Sequence, residues 1–538
     1  MLKRYATRVL ASFLVLLLLC ASFPLLPAYS KDYPVVKNVI FLIPDGMSLA
    51  GTTLARWYRG SSLAMDEMAC GLVRTHSAVG PITDSAAAGT ALAAGFKTNP
   101  GYVTVLPDGT PVASVLEAAK LAGKSTGLVV TCEIPHATPA VFSAHALSRK
   151  DYDTILKQQV YQGMDVVLGG GHAFMKPGAR KDGEDLVEAV KALGYEYVTD
   201  PEELHKVEAG KVWGMFAPKA LKPDFDRDPV REPSLAEMTA KAIEILSKNP
   251  KGFFLMVEGS QIDWAAHAND PVYLVSEILA FDEAVKVALD FAKKNKDTVV
   301  IVAADHGNGG VSIGDRATSG NYSKLPLSSF IEPLKRAKLT GVGLEEKLAP
   351  DRSNVIEAVS RYYGIADLSE EEIKAIKEAK PGKLSYVVGP MLSKRAHIGW
   401  TTNGHTGEDV VLYVYSPKGE KLTGVVDNTD IAKYIGKVLG LDLRKATQEL
   451  FVPARMAFEA LGAQVYWDDR NPASPVLVVS KEGVELSLPV NTNVAKLNGK
   501  TIHLNGLTVY YGTKTYVPQA AVDLFKAAWE KARASKAA

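Results

Sequence analysis

The chain has 538 residues, 47% of them hydrophobic, which suffices for one large α/β domain and a smaller one with cores of their own. Sixty-one Lys and Arg against 60 Asp and Glu leave a formal net charge of +1. Without a basic excess there is no electrostatic footprint for nucleic acid, so any anion binding is local.

The N-terminus reads Met1-Leu2-Lys3-Arg4, then an apolar run from residue 9 to 19 and beyond, then Pro27-Ala28-Tyr29-Ser30 before Lys31-Asp32. A basic start, a short apolar stretch and a small-residue exit describe a secretory signal peptide over residues 1–30. An uncleaved membrane anchor is the rival, because the run approaches the ~20 residues that a span needs. Lipid attachment at Cys20 is a third option, disfavoured by Leu19 before it. Cleavage is the favoured reading, and no later segment is apolar for long enough to cross a bilayer. Export leaves Cys70 and Cys132 in an oxidising compartment, where they either pair or stay as buried free thiols.

Residues 35–43 form a nearly continuous apolar run that breaks at Pro44-Asp45-Gly46, the pattern of a strand buried on both faces. Similar runs follow at 127–132, 165–168, 253–257 and 298–303, with helical patterns between them such as 112–121 and 237–246. This alternation predicts an α/β domain with a largely parallel central sheet and helices on both faces. Ligands of such sheets bind beyond the carboxyl ends of the strands. Residues 315–395 turn irregular and partly helical, with Ser369-Glu370-Glu371-Glu372 opening an amphipathic segment, and read as an insertion over the sheet. From about residue 442 the texture changes to short strands at 476–480, 484–488 and 507–511. Two related segments frame them, Phe451-Val452-Pro453-Ala454 and Tyr516-Val517-Pro518-Gln519. This predicts a small α+β domain over 442–538, ending in a frayed helix from Lys526.

Four segments carry chemistry. In Thr83-Asp84-Ser85-Ala86-Ala87-Ala88-Gly89-Thr90-Ala91 a serine opens an Ala-rich helix. The helix N-terminus would stabilise phosphate and a negatively charged serine oxygen, although Ser is also an ordinary cap there. In Glu258-Gly259-Ser260-Gln261-Ile262-Asp263-Trp264-Ala265-Ala266-His267, Asp263 and His267 are four apart, so one helix face presents both to one metal ion or merely to each other. Asp305 and His306 follow the 298–303 strand, and Asp45 follows the first strand, so several strands deliver metal-ligand types to one sheet edge. Finally, Gly404-His405-Thr406-Gly407 leaves an imidazole accessible before a strand at 410–415. His76, His145, His172, His205 and His397 lack partners at ligand spacing and read as satisfied loop or core residues.

The segments 38–48, 83–91, 136–149 and 258–267, with Asp305-His306 and His405-Thr406-Gly407, resemble alkaline phosphatases in order and context, across about residues 31–440. The resemblance implies an exported hydrolase of phosphate monoesters acting through a phosphoserine at Ser85, with two zinc ions and one magnesium ion. It implies that Asp263, His267 and His405 hold the first zinc, and that Asp45, Asp305 and His306 hold the second. Asp45, Thr138 and Glu258 would hold magnesium, and Arg149 would grip the substrate phosphate. It also implies a homodimer.

Two positions depart from many bacterial members. His136 stands where those have Asp, and Trp264 where they have Lys, which leaves the metal choice at the third site open. A phosphodiesterase of the same superfamily is the alternative within enzymes, and a non-catalytic surface-binding protein the alternative outside them. Asp84-Ser85-Ala86-Ala87-Ala88 does not fit the Cys/Ser-x-Pro-x-Arg setting of sulfatases. The C-terminal segment, through Phe451-Val452-Pro453-Ala454-Arg455 and the stretch from Leu461-Gly462-Ala463 to Trp467, resembles the stalk domain related to the N-terminal domain of copper amine oxidases. His503 is its only histidine, so no copper site is implied, and surface attachment or protein contact is the expected role.

Overall fold

Long apolar runs become the middle of a ten-stranded sheet. In the computed structural model, which describes residues 33–512 and 514–537, these are β1 (Asn38–Pro44), β3 (Ser125–Glu133), β4 (Val166–Gly170), β7 (Phe253–Gly259) and β8 (Thr298–Ala303). Every residue of β1, β7 and β8 is buried, as expected of strands covered on both faces. The remaining strands are β2 (Ala69–Arg74), β5 (Tyr195–Val198), β6 (Lys211–Met215), β9 (Val410–Tyr415) and β10 (Gly424–Asp427). The order across the sheet is β10-β2-β9-β8-β1-β7-β3-β4-β6-β5. All neighbours run parallel except β9, which is antiparallel to both β2 and β8. The largely parallel sheet is therefore present, with one reversed strand in it.

The predicted 112–121 helix begins later, at Val115, because Ser114 caps it. Its Oγ accepts from the Glu117 N–H while the Glu117 carboxylate accepts from the Ser114 N–H. Residues 315–395 fold into short helices, including Ser328–Lys335, Glu370–Glu378 and Ser385–Arg395. They share a core of Ile331, Leu334, Tyr363, Ile376 and Leu392, joined by Leu54 and Val272 from the sheet-covering helices.

Beyond residue 442, five antiparallel strands stand in sequence order from Gln464–Asp468 to Lys500–His503. The two related segments pair with each other, Val452 opposite Val517 and Pro453 opposite Tyr516. Each then enters a helix, Ala454–Ala460 and Gln519–Ala537. The helix expected from Lys526 begins earlier, at Gln519. The last helix places Ala521, Val522 and Phe525 in this domain's core, and Trp529 Nε1 donates to Glu482 Oε2 at 3.0 Å. Burial of that face supplies the stability that an isolated Ala-rich helix lacks. From Val35 onward the described chain is one compact unit. The leader expected at 1–30 lies outside the described residues, and among the described residues no helix is long and apolar enough to cross a membrane.

Cys70 and Cys132 are free thiols. They lie on β2 and β3, five strand steps apart. At about 4.8 Å per step that is roughly 24 Å, well beyond the ~7 Å limit between bridged Cα atoms.

Glu277 lies fully buried on the helix Pro271–Asn295, where its carboxyl accepts from the Asp224 N–H at 2.7 Å. Burial, with Asp224 and Asp226 nearby, pushes this carboxyl up to about 8. An acid whose folded pKa exceeds its unfolded one binds more protons when folded, so its contribution to stability falls as pH rises from about 4.5 to about 8. Glu277→Gln keeps the acceptor and removes the titration. The variant is expected to gain about 1 kcal/mol or more over the parent at pH 9 and little at pH 4.5, read as the difference in thermal midpoints.

Candidate functional site

The parallel strands end on one edge, and β1, β7 and β8 place polar residues at or just beyond that end. Asp45 follows β1, Glu258 ends β7, and Asp305 and His306 follow β8. Asp263 and His267 lie on the helix Gln261–His267 that leaves β7. Thr138 lies on the helix Ala137–Ser143 after β3. His405 reaches the same edge because β9 is reversed. Leu412 pairs with Ala303, and before it a separate short antiparallel pairing sets His405 opposite Asn308 and Thr406 opposite Gly307. The turn at Gly46 has φ +71°, and a Cβ there would stand 2.8 Å from Asp263 Oδ1, so only glycine lets the β1 turn approach Asp263 this closely.

Three histidines are oriented alike. His267 Nδ1 donates to the Asn403 carbonyl at 2.6 Å, His405 Nδ1 to the Thr83 carbonyl at 2.8 Å, and His306 Nδ1 to the Gly307 carbonyl at 3.2 Å. A carbonyl only accepts, so each Nδ1 carries a proton and each Nε2 faces inward, where losing its own proton leaves a lone pair for a metal ion. His267 Nε2 lies 3.3 Å from Asp263 Oδ2 and His405 Nε2 3.7 Å from Asp263 Oδ1. His306 Nε2 lies 3.2 Å from Asp305 Oδ2 and 3.6 Å from Asp45 Oδ1. The His306 and His405 rings stack with centroids 3.6 Å apart. Three groups of potential ligand atoms result, Asp263/His267/His405, Asp45/Asp263/His306 and Cys132/His136/Glu258, each with its atoms within 4.8 Å of one another.

Ser85 opens the buried helix Ser85–Ala94, with Asp84 as its cap accepting from the Ala87 N–H at 3.1 Å. Ser85 Oγ is 3.2 Å from His306 Nε2. Asp84 also accepts from the Gly101 N–H and from Arg149 Nη1 at 3.1 Å, and the other prong of Arg149 lies 3.4 Å from His136 Nε2. One carboxylate thus caps the serine's helix and orients the guanidinium beside it.

The electrostatics need cations. Burial, then the charges of Asp305, Asp263 and Glu258, hold the Asp45 carboxyl far above the usual range. Burial lifts Glu258 to about 7. Burial also opposes ionisation of Asp263, but the hydrogen bond from His267 and the surrounding imidazoles win and hold it below the usual range. Asp45 Oδ1, Glu258 Oε1, Asp305 Oδ2 and His136 Nδ1 are buried without a hydrogen-bond partner. Orphaned carboxylate oxygens beside inward lone pairs fit divalent ions, which would neutralise the charge and occupy those atoms. The donor sets near Ser85 combine imidazole and carboxylate, whereas Glu258 has Cys132 and His136 within reach and Thr138 Oγ1 lies 3.4 Å from Asp45 Oδ2.

All ten residues singled out from the sequence lie on this edge or on the arm beside it. Sequence reasoning missed the role of Asp84, although it stands inside the quoted serine motif. It also missed Asn308, whose Nδ2 donates to Asp263 Oδ1 at 2.6 Å. Cys132, read as a disulfide partner or a buried free thiol, has its Sγ 3.4 Å from Glu258 Oε2. Its place at the end of β3 was the available signal.

The alkaline phosphatase family model matches residues 36–441, and that of the copper amine oxidase N-terminal domain matches residues 443–532. Alkaline phosphatase 3 of Bacillus subtilis is 41% identical over 430 residues, covering 76% of this chain and 90% of that protein. The crystal structure of Thermus thermophilus alkaline phosphatase superposes with a TM-score of 0.69 at 32% identity, covering 76% of this chain and 92% of that one. Alkaline phosphatase from the Antarctic bacterium TAB5 gives 0.58 at 29%, covering 76% and 99%. The chain belongs to the alkaline phosphatase family and is a phosphate monoester hydrolase that carries a copper amine oxidase N-terminal-like domain behind its catalytic region.

Proposed function

We propose that this enzyme is an exported alkaline phosphatase that works through a phosphoserine at Ser85, with two zinc ions and one magnesium ion per chain. The observation that carries this reading is the convergence of Ser85 Oγ, the Arg149 guanidinium and three inward Nε2 atoms on one sheet edge. Asp263, His267 and His405 would hold one zinc, and Asp45, Asp305 and His306 the other. Asp45, Thr138 and Glu258 would hold magnesium. Variants of the TAB5 enzyme with Asp or Glu in place of one histidine have Mg bound in a site named M3, which supports a magnesium site of this kind. The leader at 1–30 supports a periplasmic, extracellular or cell-surface location. The family resemblance supports a homodimer, and the C-terminal domain supports a surface contact.

In the first step Ser85 Oγ bonds to phosphorus as the bond to the leaving oxygen breaks. The serine proton is lost, and the alcohol departs having gained one. Water then attacks the phosphoserine, releasing inorganic phosphate and returning a proton to Ser85 Oγ. The helix N-terminus favours negative charge at Ser85. Arg149 offers paired donors to two phosphoryl oxygens, and Asp84 keeps it aimed. When bound, the ions supply Lewis-acid chemistry that polarises phosphoryl oxygens and eases proton loss from hydroxyl and water. A site that reads only the phosphoryl group leaves the rest of the ester largely unrecognised, so broad monoester specificity follows.

Turnover of a chromogenic monoester, assayed beside the matching diester at alkaline pH, is the first test. Ser85→Ala is expected to abolish both turnover and labelling of the enzyme by phosphate, and a label that persists in this variant refutes the nucleophile. Arg149→Ala is expected to weaken inorganic phosphate binding about 10- to 100-fold, the value of a charged hydrogen-bond pair.

Chelation is expected to remove activity, with zinc plus magnesium restoring it, and fewer than two tightly held ions per chain would contradict the two-zinc arrangement. His136→Asp adds a hard oxygen donor at the third site and is expected to raise the magnesium retained after dialysis. Unchanged retention would place His136 outside that site's influence.

A further inference from the structure

The C-terminal domain does not hang free. Leu450, Phe451, Leu507, Val509 and Tyr516 share a core with Ala113 and Ala118 of the catalytic region. Polar bonds cross the same seam. Thr447 Oγ1 accepts from the Ala113 N–H at 2.9 Å, and Lys157 Nζ donates to Ser474 Oγ at 3.0 Å. Contacts from the C-terminal domain also bear on His145, four positions before Arg149, directly through Phe451 and by way of Gln158 from Asn491.

His145 is fully buried, and its ring meets Phe451 edge-on with centroids 4.5 Å apart. Its Nδ1 faces the Thr104 carbonyl at 3.0 Å and its Nε2 faces Glu117 Oε1 at 2.9 Å. The His145 main chain is held at both ends by Gln158, whose Oε1 accepts from the His145 N–H at 2.7 Å and whose Nε2 donates to the His145 carbonyl at 2.9 Å. The second Nε2 hydrogen of Gln158 goes to Asn491 Oδ1 of the C-terminal domain at 3.0 Å. The Gln158 amide is thus aligned by Asn491, and the His145 ring is closed in by Phe451.

From His145 the chain runs directly to the guanidinium. Ala146 pairs with Val103, and the Arg149 N–H donates to the Gly101 carbonyl. Gly101 is bound by Asp84, which also orients Arg149. Only three residues separate the clamp on His145 from Arg149, so a shift at the clamp has little chain in which to dissipate. A cavity of about 390 Å³ lies beside this arm, between Leu147 and Ser148 on one side and Pro472, Pro475 and Tyr510 on the other. Without the C-terminal contacts, the arm would border open space.

We propose that the C-terminal domain is a positioning element of the active site, in which Phe451 and Asn491 clamp His145 and thereby hold the arm that aims Arg149 at the phosphate. This rests on the reading of Arg149 as the phosphate grip. It gives the domain a role in the chemistry of the chain that bears it, in addition to any surface contact. Phe451 and Asn491 touch no substrate and act only through His145 and Gln158.

The test is titration of the full-length, metal-replete protein with inorganic phosphate, followed by calorimetry, beside monoester kinetics and thermal midpoints. Asn491 has φ +60°, so Asn491→Gly removes the side chain without backbone strain, and Asn491→Asp keeps the acceptor. Asn491→Gly and Phe451→Ala are expected to raise the phosphate Kd about three- to tenfold, because small displacements of a gripping group are costly. KM should rise with Kd while kcat changes less, and Asn491→Asp should recover most of the loss. Phe458→Ala, which opens the core of the C-terminal domain away from the arm, is expected to lower the thermal midpoint with the phosphate Kd within twofold of the parent.

Two results overturn the proposal with the role of Arg149 intact. One is an unchanged phosphate Kd in both Asn491→Gly and Phe451→Ala while Arg149→Ala weakens binding. The other is an equal loss in Phe458→Ala, which would make the effect general loosening. A phosphate Kd unaffected by Arg149→Ala would overturn both the proposal and the reading beneath it.

Discussion

Four carboxylates, Asp45, Glu258, Asp263 and Asp305, are buried together at one edge of the sheet, and the rest of the catalytic architecture answers to that concentration of charge. Moving a single carboxylate out of water without compensation costs several kcal/mol, and like charges at this range add to the cost. The protein supplies only part of the compensation. Asp263 is satisfied by imidazoles and by Asn308, whereas Asp45, Glu258 and Asp305 each keep a buried oxygen without a partner. A fold that tolerates such atoms is arranged for cations to complete it, and the backbone carbonyls that orient three imidazoles inward point the same way.

The sheet explains how residues more than 300 positions apart in sequence reach that edge. Parallel strands all end on one side, so Asp45, Glu258 and Asp305 follow from topology once the strands are recognised. These positions were legible because strands buried on both faces read as continuous apolar runs. Strand β2 was not legible, since only Val73 among its six residues is buried, and β5 is too short to show a pattern. The family resemblance joined His405 to Asp263 and His267, but the strand pattern alone did not bring it to this edge. Its place depends on β9 being the reversed strand, and direction leaves no mark on an apolar run.

Local bonding was harder to read than the proposed ligands. Asp84 looks like one more cap before an Ala-rich helix, yet it joins the serine's helix, the Gly101 loop and Arg149. Cys132 reads as a buried thiol, and only the pairing of β3 with β7 brings it beside Glu258. In the C-terminal domain the two related segments were visible as a repeat. Their antiparallel pairing, and the docking of the domain through Phe451, rest on contacts between residues that carry no pattern in sequence.

The proposed reading, in which the site grips a phosphoryl group, places an unusual demand on the Arg149 guanidinium. The proposed metal ligands are fixed by strand ends and by helices that grow from them, whereas Arg149 stands on an arm between the helices Ala137–Ser143 and Tyr152–Gln162. Strand ends are stiff because every backbone group is bonded in the sheet. An arm is as stiff as the contacts along it. In this chain those contacts are Asp84 and Gly101 at the guanidinium end, and Gln158, Glu117 and Phe451 at the His145 end. The element of the site held outside the sheet ladder is thus the one on which the second domain bears. The C-terminal domain meets the catalytic region where added stiffness has the most to contribute to phosphate binding.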